Sequence, residues 1–332
     1  MTAQRRWPEP RLPRQVITSA GFLGKVPMFK SITSKIAALA GAPSMIHEML
    51  VRLDELKINQ GVMLAEKNKH KHGTTLKDYE FRVFSQWGED GILQHLISVV
   101  EIREKTFIEF GVEDFLESNC RFLLMKDNWT GFVLDGSAAN IRRLKESYFF
   151  WKYELSALDA FITTENINEL LKMSGFGEDL GILSIDLDGN DYHVLDAISN
   201  FRPRILVCEY NAVFGPTRRI AVPYDADFVR ARKHHSNLYY GASLGAIVYL
   251  AKKKGYSFVG TNSAGNNAFF VRNDLLNEQV TSIDAEDGFS PSKFRESRDE
   301  DGRLTCVTGN ARLSLIAGLP VLNVERGIIE KL

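Results

Sequence analysis

The chain has 332 residues, of which 44% are hydrophobic and 25% charged, and its net charge is −1. These values are ordinary for a globular protein, and the small charge gives no general attraction for nucleic acid. No apolar run approaches the roughly 20 residues of a membrane span. No continuous apolar segment typical of a secretory signal follows the first arginines. Because Cys120, Cys208 and Cys306 are widely spaced and form no metal-type pair, we expect a cytoplasmic protein without disulfides.

The first 43 residues are basic and amphipathic. They contain seven Arg or Lys residues and one acidic residue, Glu9. A helix is predicted after Pro27, and its apolar face consists of Phe29, Ile32, Ile36 and Leu39. Such a helix predicts a peripheral contact of residues 1–43 with the inner membrane. Two alternatives stay open: a transit peptide of similar composition, and a helix that packs on its own domain or on another subunit.

A second helix is predicted from Ser44 to about Lys67. Its apolar residues follow the i, i+3, i+4, i+7 spacing of one helix face, namely Ile46, Met49, Leu50, Leu53 and Leu56. This face is predicted either to cap the core or to form the contact of a homo-oligomer. Residues 1–80 are therefore interpreted as a helical N-terminal extension.

Residues 81–277 alternate between strand-like and helix-like segments. The seven predicted strands are 106–110, 131–135, 152–157, 181–186, 204–209, 256–260 and 267–272. This alternation predicts an α/β fold with a mostly parallel sheet that is covered by helices on both faces. The last two strands are close enough to form a hairpin, so the last strand is predicted to be antiparallel. Residues 278–332 are predicted to be a tail that packs on this domain.

A nucleotide site is predicted between the first two strands. The first strand runs into Glu109 and Gly111, and the second ends at Asp135, followed by Gly136 and Ser137. This spacing suits an adenosine whose ribose hydroxyls are bound by the carboxylate. We therefore expect these five residues to contact a cofactor.

The loop after the first strand distinguishes between cofactors. It has a single glycine, Gly111, whereas NAD and FAD sites need a glycine-rich helix start for the pyrophosphate. Glu113 and Asp114 would also repel a pyrophosphate. S-adenosylmethionine (SAM) has no phosphate and carries a positive sulfonium, so SAM is the predicted cofactor. The alternative is structural, with Gly111 in a plain turn and Asp135 as the cap of the next helix, although Ser137 can cap that helix instead.

Three polar residues, Gln86, Glu89 and Asp90, lie at the start of another predicted helix. We expect them to reach the amino and carboxylate groups of the methionine part of the cofactor. Helix N-termini attract carboxylates, so simple capping by Glu89 and Asp90 is the alternative.

The densest acidic cluster follows the fourth strand. Asp186, Asp188 and Asp191 lie within six residues, and Glu209 ends the neighbouring strand. Ligands of open α/β sheets bind at the carboxyl ends of the strands, and Mg²⁺ prefers oxygen ligands. We predict a divalent cation on Asp186, Asp188 and Glu209 that chelates two sugar hydroxyls and lowers the pKa of the attacked hydroxyl. The alternative is an Asp-rich turn that caps the next helix.

Asp188, Asp191 and His193 are the predicted catalytic residues. His193 is a candidate general base, and packing inside the domain is its alternative role. His234 and His235 are rival candidates for the same role.

Six segments of the chain, in order, resemble the FkbM-like family of SAM-dependent methyltransferases. They are SQWGEDGIL, FIEFGVEDFLESN, GFVLDGS, SIDLDGNDY, CEYN and GTNSAGNNAFFV. The resemblance covers about residues 80–275 and is nearest to the branch found with bacterial glycan (polysaccharide) and natural-product biosynthesis. It implies a Rossmann-like class I methyltransferase sheet and O-methylation, often of a sugar hydroxyl.

The resemblance also implies roles for particular residues. It puts Glu109, Gly111 and Asp135 at the cofactor. It puts Asp186, Asp188 and Asp191 at the acceptor or a metal, and Asp186 is expected to touch the cofactor as well. The predicted acceptor is a saccharide or a glycan-biosynthesis intermediate. Two other functions stay open: a nucleotide-sugar-modifying Rossmann enzyme, and a glycan-binding or scaffold protein that keeps the fold without turnover.

Overall fold

The computed structural model describes residues 27–332, with side chains from Met45 onward. Contacts divide the chain into two units, Met1–Arg52 and Leu53–Leu332. The side chains of the predicted membrane-surface helix, within residues 1–43, lie outside the described residues. No helix in the described part of the chain is long and apolar enough to cross a membrane.

Helix α1 spans Pro27–Lys69, so the structure joins the two predicted helices into one. In the second unit, Leu53 and Leu56 of the predicted apolar face are 49% and 66% exposed. The buried side of α1 in this unit contains Gly61 instead. A Cβ atom on Gly61 would lie 2.5 Å from the Val83 side chain and 2.6 Å from the Phe122 ring. Leu53 and Leu56 therefore do not cap the core, and their part in a homo-oligomer contact stays a prediction.

The main sheet contains seven strands. They are β1 (Thr106–Phe110), β2 (Thr130–Asp135), β3 (Leu155–Asp159), β4 (Ile182–Ile185), β5 (Ile205–Glu209), β7 (Tyr256–Thr261) and β8 (Asn267–Arg272), while β6 (Ile220–Ala221) belongs to a second sheet. Their order is β3-β2-β1-β4-β5-β8-β7, and β8 alone runs antiparallel to its neighbours. The predicted Rossmann-like sheet, with seven strands and an antiparallel last strand, is confirmed.

Helices connect the parallel strands of the main sheet. They are α2 (Glu89–Val99), α3 (Arg121–Asp127), α4 (Ala138–Glu146), α5 (Ile167–Lys172), α6 (Asp191–Ala197), α7 (Arg230–Lys233), α8 (Leu244–Lys253), α9 (Ala285–Gly288) and α10 (Asn310–Leu315). Ser137 caps α4, since its hydroxyl accepts a hydrogen bond from the backbone N–H of Asn140 at 3.3 Å. The apolar strands β4 and β5 are buried along their whole length, so the core lies on both faces of the sheet's centre.

The end of the chain contributes to a second, smaller core. Strands β9 (Pro320–Asn323) and β10 (Ile328–Lys331) form a three-stranded sheet with β6, in the order β10-β9-β6. Ile316 and Val321 are fully buried there. They pack in one cluster with Phe214, Ile220, Val222, Phe228, Leu238, Tyr239 and Tyr240. Residues after 278 thus cover the segment that leads from β5 to α8.

Replacement of Ile316 tests whether this tail is part of the folded domain. Ile316→Ala should lower the free energy of unfolding by about 2–4 kcal/mol, because it leaves a cavity in a closed cluster. The neighbouring Leu315 is 40% exposed, so Leu315→Ala is the matched control and should cost less than about 1 kcal/mol. Urea denaturation measures both. Equal small losses would show that the tail does not share the core.

Candidate cofactor and acceptor site

An open pocket of about 840 Å³ lies at the carboxyl ends of β1, β2, β4 and β5. This is the edge where open α/β sheets bind ligands. Eight of the predicted site residues line the pocket: Gln86, Glu109, Gly111, Asp135, Gly136, Asp186, Asp188 and Glu209. Glu89, Asp90, Ser137, Asp191 and His193 do not line it. A volume of this size is typical of pockets that hold a cofactor-sized molecule.

The pocket is strongly acidic. Its acidic lining residues are Glu109, Glu113, Asp114, Glu117, Asp135, Asp186, Asp188, Glu209 and Glu296. Among the described side chains that line it, Arg230 is the single Lys or Arg. Burial, with the nearby charges of Asp114 and Asp135, raises the pKa of Glu113. A surface of one charge sign favours ligands of the opposite sign, so this pocket suits a cation and opposes a pyrophosphate.

Gly111 brings the ends of β1 and β4 together. Its φ is +67°, and its N–H donates to the carbonyl of Leu134 at 2.9 Å. A Cβ atom at this position would lie 1.7 Å from the backbone carbonyl oxygen of Asp186. No side chain can be accommodated so close to a backbone atom. Gly111 is therefore required by the sheet edge itself, whatever the ligand.

Two carboxylates organise the loops that surround the pocket. Glu109 accepts hydrogen bonds from the Ser118 hydroxyl and from the N–H groups of Asn119 and Cys120, at 2.8 and 3.1 Å for the latter two. These bonds fix the segment directly before α3, which begins at Arg121. Burial raises the pKa of Glu109.

Asp135 plays the same part at the end of β2. Its Oδ2 accepts from the N–H of Glu113 at 2.8 Å, and its Oδ1 accepts from the N–H of Ser137 at 2.8 Å. The Asn140 amide donates to the same Oδ1 at 3.2 Å. Each carboxylate oxygen has two lone-pair sites, so Oδ2 keeps one for a ligand.

Glu89 and Asp90 hold the α2 loop rather than the pocket. Asp90 Oδ2 accepts from the N–H groups of Val83, Phe84 and Ser85, each at 2.8 Å. Burial raises the pKa of Asp90 to about 6.

Glu89 accepts from the N–H of Gly88 at 2.8 Å and from the amides of Asn262 and Asn267 at 2.6 and 3.0 Å. It therefore ties the start of α2 to the hairpin of β7 and β8. Of the three polar residues predicted to reach the methionine part of the cofactor, Gln86 alone lines the pocket.

The acidic cluster after β4 differs in one member from the predicted cation ligands. Single oxygens of Asp186, Asp191 and Glu209 all lie within 4.8 Å of one another. Asp188 lines the pocket as well, and its exposed carboxylate pairs with Arg230 at 2.7 Å. Its part as a cation ligand stays a prediction. Burial, with repulsion between the carboxylates, raises the pKa values of Asp186 and Glu209 well above their usual range.

The histidines predicted as general bases lie away from the pocket lining. The Nε2 of His193 is 2.8 Å from the carbonyl oxygen of Val222, which a protonated Nε2 satisfies by donation. The Nδ1 of His234 lies 2.8 Å from the Ser236 hydroxyl, and neither His234 nor His235 lines the pocket. Packing, the alternative for His193, agrees with this placement.

Arg230 lines the pocket and was not predicted from the sequence. Asn190 and Asn267 also line it. They lie in the segments SIDLDGNDY and GTNSAGNNAFFV of the family resemblance but were not among the predicted site residues, and Glu113 was considered only for its charge. Arg230 lies on a four-residue helix in a stretch without periodicity, so no spacing pattern identified it. The Asn-rich segment before β8 was the one available signal for Asn267.

Substitution of Gly111 tests the close contact of β1 with β4. Gly111→Ala should lower the free energy of unfolding by about 3 kcal/mol or more, since it adds a backbone clash to the cost of a positive φ. Gly175 is the matched control, because its φ is +71° and a Cβ there would meet no atom within 4 Å. Gly175→Ala should cost about 1 kcal/mol. The same loss for both variants in urea denaturation would contradict the clash.

No family model and no curated protein matches the chain. A putative O-methyltransferase from Klebsiella pneumoniae is 11% identical, with a TM-score of 0.36 over 65% of this chain and 90% of that one. A SAM-dependent methyltransferase from Clostridium acetobutylicum is 10% identical, with a TM-score of 0.35 over 55% and 90%. The N-terminal domain of EvdMO1 with SAH bound is 9% identical, with a TM-score of 0.31 over 50% and 72%. Likeness at this level carries no argument about activity, and the FkbM-like resemblance stays a prediction.

Proposed function

We propose that the protein is a SAM-dependent O-methyltransferase of the FkbM-like kind, acting on a hydroxyl of a saccharide or glycan-biosynthesis intermediate. The observation that carries the proposal is the acidic pocket at the carboxyl ends of β1 and β2 in a methyltransferase-type sheet. Its charge suits a donor that is cationic at sulfur and at its ammonium group. A divalent cation such as Mg²⁺ beside the acceptor is included in the proposal.

The donor would occupy the half of the pocket built by β1 and β2. Asp135 lines the pocket, and its Oδ2 retains capacity for a ribose hydroxyl, since charged hydrogen bonds of this kind contribute roughly 1.5–3 kcal/mol. Glu109 and Gln86 line the same region and would contact the methionine part of SAM. Gly111 lines this half of the pocket as well.

The acceptor would occupy the half built by β4 and β5. The acceptor oxygen bonds to the methyl carbon while the carbon–sulfur bond breaks, which leaves S-adenosylhomocysteine (SAH) as the product. The hydroxyl proton passes to a carboxylate, for which Glu209 and Asp186 are the candidates that line the pocket. Alignment of the hydroxyl with the methyl group is the main catalytic contribution.

The lining of the acceptor half supports a saccharide. The amide oxygen of Asn190 can accept a hydrogen bond from a hydroxyl, and the aromatic rings of Phe228 and Phe294 offer apolar faces to a sugar ring. The acidic charge opposes the diphosphate of a nucleotide sugar, which counts against the rival Rossmann enzyme. The scaffold rival without turnover makes no such demand on charge, and transfer of a methyl group to a saccharide separates an enzyme from it.

We also propose a cytoplasmic location. All three cysteines are free, and Cys120 and Cys208 are buried. Unpaired thiols are usual in reducing compartments.

Calorimetry with SAH tests the cofactor assignment. Wild type should bind SAH, and Asp135→Ala should bind it roughly 10- to 150-fold more weakly, as expected for the loss of charged hydrogen bonds to ribose. Asp159 provides the matched control, because it faces Asp135 across β2 and β3 and is exposed. Asp159→Ala should bind SAH as wild type does. The cofactor assignment would be wrong if wild type does not bind SAH, or if Asp135→Ala binds SAH as tightly as wild type does.

Transfer of an isotopically labelled methyl group from SAM tests the acceptor. Neutral oligosaccharides should accept the label, whereas nucleotide diphosphate sugars should neither accept it nor displace SAH, because of the acidic pocket. Labelling of a nucleotide sugar in preference to neutral saccharides would favour the rival enzyme. SAH binding with no labelling of any saccharide would leave the scaffold function.

A further inference from the structure

Three carboxylates from three elements converge beneath the acceptor half of the pocket. Asp186 follows β4, Asp191 is the first residue of α6, and Glu209 is the last residue of β5. Single oxygens of the three lie within 4.8 Å of one another. Asp191 is fully buried, Glu209 is 7% exposed and Asp186 is half-buried. Like charges this close repel strongly unless something positive lies between them.

The protein supplies no ion pair to this cluster within the described residues. Arg230, the nearest guanidinium, pairs with Asp188 at 2.7 Å and lies over the Tyr240 ring at 3.7 Å. Its Nε donates to the carbonyl of Asn237 at 2.8 Å. Arg230 acts on the cluster only through its charge, which without an ion pair opposes the rise that burial causes in the pKa values of Asp186 and Glu209. Asp191 accepts from the N–H groups of Leu187 and Gly189 at 2.7 and 3.0 Å, so Glu209 is the buried carboxylate whose Oε2 keeps no partner among the described residues.

Buried oxygens without a donor surround the same place. Glu209 Oε2, Asn190 Oδ1 and Asn267 Oδ1 are buried and have no hydrogen-bond partner among the described residues. All three residues are less than 10% exposed and line the pocket. Asn267 faces Glu209 across the pair of β5 and β8. Three acceptors without donors at one wall indicate that a ligand completes their coordination.

The orientation of both amides is fixed by their other ends. The Asn267 nitrogen donates to the Glu89 carboxylate at 3.0 Å, and the Asn190 nitrogen donates to the carbonyl of Asp225 at 2.8 Å. Both partners are acceptors, so each amide must present its nitrogen to them and its oxygen to the pocket. A ligand that bonds to these two oxygens must therefore be a cation or a hydrogen-bond donor, not an anion.

We propose that Asp186, Asp191 and Glu209, with the amide oxygen of Asn267, form a binding site for one hard divalent cation. Carboxylates and amide oxygens are the ligands of Mg²⁺, Mn²⁺ and Ca²⁺. A single ammonium group of a ligand offsets one charge, whereas a divalent ion offsets two of the three. The catalytic use of the ion rests on the proposed methyltransferase function: it would bind the acceptor hydroxyl and lower its pKa.

Titration of the SAM-free protein with MnCl₂ tests the site directly. Wild type should bind one Mn²⁺ per chain, followed by calorimetry or by the loss of the free Mn²⁺ resonance signal. Glu209→Gln should weaken binding about ten-fold or more, since ligand charge sets affinity at such sites. Asp114 lines the same pocket but pairs with Arg143, so Asp114→Asn is the matched control and should bind as wild type does.

Thermal unfolding separates a lost ligand from a lost fold. Without a cation, Glu209→Gln should melt at or above wild type, because it keeps the shape and removes repulsion. Mn²⁺ should raise the melting temperature of wild type and leave that of Glu209→Gln unchanged. The site would be overturned if wild type does not bind Mn²⁺, or if Glu209→Gln binds Mn²⁺ as tightly as Asp114→Asn does. SAH calorimetry without cation reports on the cofactor separately, so failure of one assignment is distinguishable from failure of the other.

Discussion

The close contact between Gly111 and the backbone of Asp186 is the constraint on which the site depends. Strands β1 and β4 are neighbours, and their carboxyl ends can meet only where one of them carries no side chain. Through this contact the loop after β1 and the loop after β4 become two walls of one pocket. The donor half and the acceptor half are therefore held at a fixed separation by backbone atoms, which is the geometry that a methyl transfer requires.

Buried carboxylates give the carboxyl edge of the sheet a negative charge and at the same time hold the loops after β1 and β2 in place. Glu109 and Asp135 each accept hydrogen bonds from two or more loop groups, so their charge is stabilised by N–H donors instead of cations. In the acidic cluster of Asp186, Asp191 and Glu209, Asp191 accepts from two backbone N–H groups, whereas the buried Glu209 Oε2 has no partner among the described residues. The carboxylates of the donor half are thus satisfied by hydrogen bonds within the protein. The acceptor half contains buried oxygens without partners among the described residues.

Much of the fold could be predicted from the sequence, because the hydrophobic periodicity of each strand and helix is visible in its own segment. Seven apolar segments at the spacing of strands, separated by helical segments, define the sheet. The continuous helix α1 and the small sheet of β6, β9 and β10 were not predicted. Two-residue β6 is too short to show a period, and its partners lie about 100 residues away. Pairings of that kind depend on tertiary contacts that no local pattern records.

The site was predicted to the level of segments and not of side chains. The sequence predicted that Asp186, Asp188, Asp191 and Glu209 lie at one sheet edge. The structure agrees, because β4 and β5 are neighbouring parallel strands. The sequence could not show that the oxygens of Asp191 lie within 4.8 Å of those of Asp186 and Glu209, because that depends on how the turn after β4 places each side chain. Glu89 and Asp90 likewise look like ligands in sequence, although the structure gives their oxygens to backbone N–H groups. Arg230 has no pattern of its own and is recognised only by its contact with Asp188.

The distribution of charge also bears on the chemical step. Before transfer the positive charge lies on the sulfonium, near the carboxylates of the donor half. During transfer it moves toward the acceptor oxygen, which becomes acidic as the methyl carbon bonds to it. Acids on the donor side alone would favour the reactant and oppose transfer, since catalysis requires stronger stabilisation of the transition state. Two unit charges about 5 Å apart interact by roughly 3 kcal/mol at an effective dielectric constant of about 20.

The acceptor-side cluster offsets that penalty. Three carboxylates with one divalent cation, as we propose, retain one negative charge at the place where positive charge arrives. Without the cation the three carboxylates would repel one another and hold protons, as the raised pKa values of Asp186 and Glu209 indicate. A protonated carboxyl cannot take a proton from the acceptor. The cation and the proton acceptor are thus two requirements of one cluster, and the same carboxylates meet both.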